Sequence, residues 1–141
     1  KIQFEGRVQY LTAGNFKKSL NSNEKLLIDG CHSVASAKNL YNYLKTLKGP
    51  IYGIWGMQKN KLPDQFIKSF GAIFKKLITV TIPNEPNTLK ANELKKIGKK
   101  YFLTSTAYNI RNALIQLSSK ENKTIVIFGS LYLVGEVLGK N

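Results

Sequence analysis

Cysteine and histidine occur once each in this 141-residue chain, side by side as Cys31 and His32. One thiol cannot close an internal disulfide, and one thiol with one imidazole makes a poor zinc set. The expectation is a protein of a reducing compartment, the cytoplasm, with no metal ligated by this chain. No run of 18 apolar residues is present, and the opening KIQFEGRVQY lacks the apolar core of a secretion signal, so neither a membrane span nor export is expected. The GxxxxGK(S/T) and GxGxxG cradles are missing, which leaves the chain without a recognisable triphosphate or dinucleotide loop. No GxSxG elbow presents a serine, and Asp29 and His32 share one loop, so a hydrolase triad of Ser130, His32 and Asp29 fails on context.

Acidic residues are scarce as well: 8 stand against 22 Lys and Arg, a formal net charge of +14. Such a field attracts polyanions, and a basic nucleic-acid-binding module is one reading of it. That reading requires lysines converging on one face beside aromatics suited to stacking. The lysines instead fall in pairs such as Lys17 and Lys18, Lys75 and Lys76, and Lys95 and Lys96, spread over expected helix surfaces. Most aromatics fall in packing positions, so no specific nucleic-acid partner is expected.

The length suits one domain that buries about 68% of its unfolded surface without staples. The chain begins with Lys1 and enters an apolar/polar alternation at once, from which a piece of a longer polypeptide is expected. Residues 8–11 read as a short strand before a turn at Gly14 and Asn15, and 25–28 as a second strand, apolar and too short for a helix. Ala37, Leu40, Tyr41, Leu44 and Leu47 recur at three and four, which predicts a helix over 34–47 stopped by Gly49 and Pro50. The unit then repeats. Strands are predicted over 51–55, 77–82, 101–103 and 124–128, and helices over 63–74, 89–98, 107–117 and 131–138, with PNEPN as the clearest loop. Alternating strands and helices imply right-handed crossovers and a mostly parallel six-stranded sheet covered on both faces: a three-layer, doubly wound α/β domain.

Ligands of such sheets bind outside the carboxyl ends of the strands, so the junctions there are where chemistry is sought. In DGCHS (29–33), Asp29 can accept ribose hydroxyls or orient a cation, Gly30 lets backbone approach a ligand, and His32 stands beside a helix start that Ser33 can cap. The competing reading makes Asp29 and Ser33 caps and gives His32 one surface hydrogen bond. In WGMQKNK (55–61), Lys59 can bring an ammonium to a carboxylate or phosphate, or be a solvated loop lysine, while Trp55 and Met57 read as wall or core. In FGSLYLVGEVL (128–138), Ser130 and the first-turn amides of a helix can receive a carboxylate, or Ser130 can be an N-cap and nothing more. In FEGRVQ (4–9), Arg7 can clamp phosphate or be a surface charge.

Together these motifs resemble the C-terminal domain of the Mur ligase superfamily, most closely that of bifunctional folylpolyglutamate synthase/dihydrofolate synthase. EGRVQ stands where that family has a PGR-type segment, DGCHSV where it has DGAHNP, and GMQKNK where it has a glycine and a DKD-type segment. GSLYLVGEVL matches its closing motif, and VTIPNEPNTL the intervening strand and loop. The resemblance spans nearly the whole chain and implies a Rossmann-like domain with one antiparallel strand in its sheet. It also implies half of a monomeric enzyme that uses ATP to phosphorylate a carboxylate of dihydropteroate or folate, after which L-glutamate attacks the acyl phosphate to form an amide. The phosphate loop and the Mg2+ ligands then belong to an N-terminal ATPase domain, and the chain alone is expected to be inactive.

On this resemblance Arg7 contacts the ATP phosphates, Asp29 the ribose hydroxyls with Gly30 beside them, and His32 the nucleotide or glutamate side of the cleft. Lys59 and Ser130 hold the incoming glutamate carboxylate, and no residue is needed as a covalent nucleophile. Such contacts orient the amine and offset charge that builds in the transition state. Two departures stand out: the family's Ala-His-Asn-Pro reads Cys31, His32, Ser33, Val34, and its Asp-Lys-Asp reads Gln58, Lys59, Asn60. Ser33 can replace the asparagine as a cap, whereas losing two acids makes the field around Lys59 more positive and bears on acceptor choice. A diverged, catalytically silent domain is the further alternative, favoured if Arg7, Asp29, His32, Lys59 and Ser130 fail to converge on one cleft.

Overall fold

The computed structural model describes residues 8–141. Strands β1 (Gln9–Leu11), β2 (Glu24–Asp29), β3 (Ile51–Trp55), β4 (Phe74–Thr79), β5 (Thr104–Thr106) and β6 (Lys123–Phe128) form one sheet in the order β1-β2-β6-β3-β4-β5. Between and after them run α1 (Asn15–Lys18), α2 (Val34–Leu44), α3 (Pro63–Lys68), α4 (Ala91–Gly98), α5 (Ile110–Leu117) and α6 (Leu131–Lys140). Only β1 pairs antiparallel, with β2; the other four pairings are parallel. The three-layer, doubly wound architecture predicted from the sequence is present.

Both faces of the sheet are covered, so the central strands are apolar on both sides. Leu26 and Ile28 of β2 join Ile125 and Ile127 of β6 in a core closed by Phe16 of α1, Leu114 of α5 and Val134 of α6. Leu27, Val126 and Phe128 face the other way, toward Leu40 of α2, Phe66 of α3 and Leu94 of α4. This second core is aromatic: the rings of Phe66, Phe70, Phe74 and Phe128 lie with centroids 5.0 to 6.0 Å apart. Right-handed crossovers explain the division. Connections stepping outward from β2 through β3 and β4 to β5 lay α2, α3 and α4 on one face, and the return from β5 to β6 lays α5 on the other. Because β6 is inserted between β2 and β3, α2 leaves β2 toward one face while α6 leaves β6 toward the opposite one, and a crevice opens above the carboxyl ends of these two strands.

Some boundaries differ from the sequence reading. The helix predicted over 63–74 stops at Lys68, the chain turns at Gly71 with φ +56°, and Phe74 begins β4. Phe66, Phe70 and Phe74 are spaced as on one helical face, yet they meet because helix, turn and strand each aim a ring at Phe128. The strand predicted at 101–103 lies at Thr104–Thr106, where threonines half-buried on a sheet edge leave no apolar run to read. Helix α2 ends at Leu44 rather than Leu47, although Leu47 still packs on the aromatic core.

At the amino rim, opposite the crevice, β2 and β6 begin with a buried ion pair. Lys123 Nζ donates to Glu24 Oε2 at 2.8 Å, and the two side chains are 1% and 0% exposed. Glu24 also accepts from the backbone amides of Asn21 and Ser119 and from the Ser118 hydroxyl, each at 2.8 Å, while Lys123 donates to the Leu117 carbonyl and the Ser119 hydroxyl. Burial opposes ionisation of Glu24, but the donors around it outweigh burial and hold its carboxyl below the usual range. Among the described residues no helix is long and apolar enough to cross a membrane.

Candidate functional site

Asp29 ends β2 directly beside Phe128, the last residue of β6, so the turns that follow both strands emerge at one rim. There a cleft of about 470 Å³ opens between the two turns. Asp29, Gly30, Cys31 and His32 line it from the β2–α2 turn, with Ser36, Asn39 and Leu40 of α2, Leu131 of α6, and Val8 ahead of β1.

Hydrogen bonds shape the DGCHS turn. Asp29 is 6% exposed, and its Oδ1 accepts from the Cys31 amide at 2.8 Å, folding the chain back over the strand end. The Cys31 thiol is buried; burial first, then the Asp29 charge, push it well above the usual thiol range. It is therefore a neutral donor and not a nucleophile. His32 is half-buried, and its Nδ1 lies 3.1 Å from the Gly30 carbonyl. A carbonyl only accepts, so the Nδ1 carries the proton and Nε2 is left as an acceptor.

Both helix starts beside the cleft are capped by serines. Ser33 Oγ accepts from the Ser36 amide at 3.1 Å, and Ser36 Oγ accepts from the amides of Ser33 at 3.0 Å and His32 at 3.2 Å. The Ser36 amide of α2 and the two amides just ahead of the helix are thus engaged within the chain. Ser130 Oγ accepts from the amides of Tyr132 at 3.0 Å and Leu133 at 3.4 Å, and the residue is 2% exposed. Ser130 lies at the same rim but does not line the cleft; its neighbour Leu131 does. Gly129 carries the turn between β6 and this cap at φ +112°, where an added Cβ would stand 2.2 Å from the Gly56 carbonyl oxygen and 2.6 Å from the Trp55 indole, so only glycine fits.

The loop after β3 is fastened to PNEPN. Gln58 Nε2 donates to Glu85 Oε2 at 2.6 Å, the Lys59 amide donates to the Asn87 carbonyl at 2.8 Å, and Gln58 bridges antiparallel to Thr88. The field around Lys59 was expected to be more positive for want of two acids, yet Glu85 returns a carboxylate to the adjacent residue. Lys59 is exposed and does not line the main cleft. Its neighbours Gln58 and Lys61 join His32, Leu131 and Tyr132 around a smaller opening of about 240 Å³. His32 and Leu131 belong to both openings, so the turns after β2, β3 and β6 share one rim.

Of the residues singled out in the sequence, Asp29, Gly30 and His32 therefore line one cleft, Ser130 is buried beside it, and Lys59 lies on the loop flanking the second opening. Arg7 lies outside the described residues. Ser36, Asn39 and Leu131 were not anticipated; the spacing of three from Ser33 to Ser36 to Asn39 is the helical signal that points to the first two. Trp55 and Met57 are wholly buried, as the wall-or-core reading expected. No group of three or more His, Cys, Asp and Glu among the described residues could hold a metal. Chemically the rim offers a carboxylate, an imidazole acceptor and apolar walls: a place to bind and orient a polar ligand.

The sequence model of the dihydrofolate synthetase C-terminal domain matches residues 12–140. No curated protein sequence matches the chain. Among solved structures, the ligand-free bifunctional folylpolyglutamate synthase/dihydrofolate synthase of Yersinia pestis is similar with a TM-score of 0.78 and 16% identity over 97% of this chain and 31% of that one. The folylpolyglutamate synthase of Thermotoga maritima gives 0.76 and 23% over 97% and 30%. Escherichia coli FolC in complex with ADP gives 0.71 and 16% over 82% and 28%. The chain thus spans less than a third of the length of these proteins, and at such identities they share its fold. The match over 12–140 goes further: this chain belongs to the dihydrofolate synthetase C-terminal domain family.

Proposed function

We propose that this chain is the C-terminal, lid-forming domain of a monomeric cytoplasmic ATP-dependent amide ligase that adds L-glutamate to dihydropteroate, to folylpolyglutamate, or to both. The reaction class is carboxylate activation as an acyl phosphate followed by attack of the glutamate amine. The observation that carries the reading is the convergence of Asp29, Gly30 and His32 with Leu131 in the crevice between β2 and β6, where an open α/β sheet binds its ligands. The cleft suits a nucleoside: about 470 Å³ is within the size range of small-molecule sites, Val8, Leu40 and Leu131 supply apolar walls for a base, and Asp29 is a hydrogen-bond acceptor for ribose hydroxyls.

In this reading Asp29 and Gly30 orient the nucleoside, and His32 uses its free Nε2 toward the nucleotide or glutamate. Phosphate charge falls in this reading to Arg7 and to an N-terminal ATPase domain. That domain also supplies the Mg2+ ligands, and the bound metal offsets charge on the transferred phosphoryl group. Lys59, on its fastened loop, and Ser130, whose hydroxyl proton stays available while its oxygen caps α6, receive the glutamate carboxylate. No covalent nucleophile is required; the domain contributes by positioning and electrostatics.

The test is ATP turnover by the polypeptide that joins this chain to its ATPase domain. Hydrolysis or transfer should require both glutamate and a folate or dihydropteroate acceptor, and Asp29→Ala should raise the KM for ATP. Glutamate-independent turnover, or synthase activity from these 141 residues alone, would refute the assignment.

A further inference from the structure

We propose that Gln58 binds the amine of the incoming amino acid and that Glu85 is the positioning residue that orients it: the Glu85 carboxylate takes an N–H of the Gln58 side chain and leaves Gln58 Oε1 as an acceptor at the opening of about 240 Å³ beside the cleft. The identity of the ligand rests on the ligase reading above; the orientation of Gln58 stands on geometry. An ionised carboxylate only accepts, so the 2.6 Å contact with Glu85 Oε2 fixes which end of the Gln58 amide is Nε2. Glu85 is held in turn, since its Oε2 also accepts from the Asn87 amide at 3.3 Å. The backbones of the two loops are fastened independently: the Lys59 amide donates to the Asn87 carbonyl at 2.8 Å, and the Leu89 amide to the Met57 carbonyl at 2.9 Å. With the loops already joined through their main chains, the side-chain bond is left to set the direction of one amide.

The groups around the opening identify the ligand class. His32, Gln58, Lys61, Leu131 and Tyr132 line it. His32 keeps Nε2 as an acceptor, because its Nδ1 donates to the Gly30 carbonyl. Lys61 is half-buried and makes no ion pair among the described residues. Two acceptors and one cation around a small space are the complement of an α-amino acid, whose amine donates and whose carboxylate accepts. Lys59, two residues before Lys61 on the same loop, is at hand for the second carboxylate of an acidic one. Gln58 stands where the family pattern Asp-Lys-Asp has an acid, and the difference matters to the amine. A carboxylate against the amine favours its ammonium form, whereas a neutral amide oxygen accepts an N–H from the neutral amine, the form that attacks an acyl phosphate. Glu85 thus keeps the negative charge of this loop pair behind the Gln58 amide.

In the intact chain the side-chain NH2 signals of Gln58 read the contact with Glu85, and 15N-edited NMR should show Glu85→Ala moving them to the positions of a freely rotating amide. In the polypeptide containing the ATPase domain, Glu85→Ala should raise the KM for glutamate roughly 3- to 10-fold, as expected for one misdirected hydrogen bond, and leave the KM for ATP unchanged. The paired exchange of Gln58→Glu with Glu85→Gln keeps the fastening with donor and acceptor reversed and sets the charge against the amine. The acid limb of glutamate-dependent turnover should then move to higher pH. That exchange also carries the test if Glu85→Ala folds poorly. Gln58 signals unmoved in a folded Glu85→Ala protein, or an acid limb unmoved by the paired exchange, as a purely structural pair predicts, would overturn the assignment. Gln58 signals that move, with no glutamate-dependent turnover by the unaltered polypeptide, would uphold the orientation of Gln58 and sink the ligase reading instead.

Discussion

Single residues at the rim are held in conformations that their neighbours dictate, and substitutions there separate local strain from ligand chemistry. Leu62, which precedes α3, sits at φ 51° and ψ 61°, a left-handed position that costs a leucine about 1 kcal/mol or more, and its side chain is mostly exposed. Leu62→Gly should stabilise the protein by about 0.5 kcal/mol after the entropy of the added glycine is subtracted, readable as a higher urea midpoint at constant slope. Gly129→Ala should do the opposite. The new methyl group would meet the Gly56 carbonyl and the Trp55 indole, and a loss of about 2 kcal/mol or more is expected together with a distorted cleft. The place of Asp29 and His32 at one cleft was legible in the sequence because both stand where an apolar strand gives way to a glycine and a helix start. The choice between the two readings of Ser130 was not, since an N-cap and a carboxylate-binding hydroxyl share one sequence pattern.

At the level of elements, the helix starts and the strand starts have different devices. Ser130→Ala should cost about 1 kcal/mol through loss of the α6 cap, and Ser130→Asn, also a good cap, should recover stability while leaving the KM for glutamate raised. A pure capping role predicts instead that Ser130→Asn restores both. At the amino rim, Glu24→Gln breaks a buried pair and should destabilise by about 3 to 5 kcal/mol in denaturant titration, whereas replacing Glu24 and Lys123 together by Leu and Met should recover much of that loss. This clamp was invisible in the sequence. Two charged residues 99 positions apart, each opening a strand, look like solvent-facing termini until the register of β2 and β6 brings them together. The central strands β2, β3 and β6 were readable because burial on both faces makes their middles continuously apolar. The end of α3 was not, because four-residue aromatic spacing continues across a turn into a strand.

For the whole molecule, charge and burial together set a pH window of stability. Glu24 has a folded-state pKa below its unfolded value of about 4.3, so the folded form binds fewer protons there. Its contribution is fully present above that value and is lost as pH falls through the folded pKa. Tyr10 works in the other direction: burial, then its hydrogen bond with Tyr43, push the phenol up to about 12, so the folded form holds its proton longer than the unfolded chain. That contribution is present below about pH 10 and is lost as pH rises toward 12. Thermal unfolding followed by circular dichroism should therefore show a broad plateau with an acid limb that Glu24→Gln weakens and an alkaline limb that Tyr10→Phe softens. The antiparallel seating of β1 has its own mechanical consequence. Gln9 lies opposite Ile28 while Leu11 lies opposite Leu26, so the polypeptide comes into the sheet at the Asp29 end and travels away from it. Anything joined ahead of it would pivot about a point at the mouth, with a short lever arm there and a long one at the amino rim. Small rotations would sweep the amino rim widely and move the Asp29 end little.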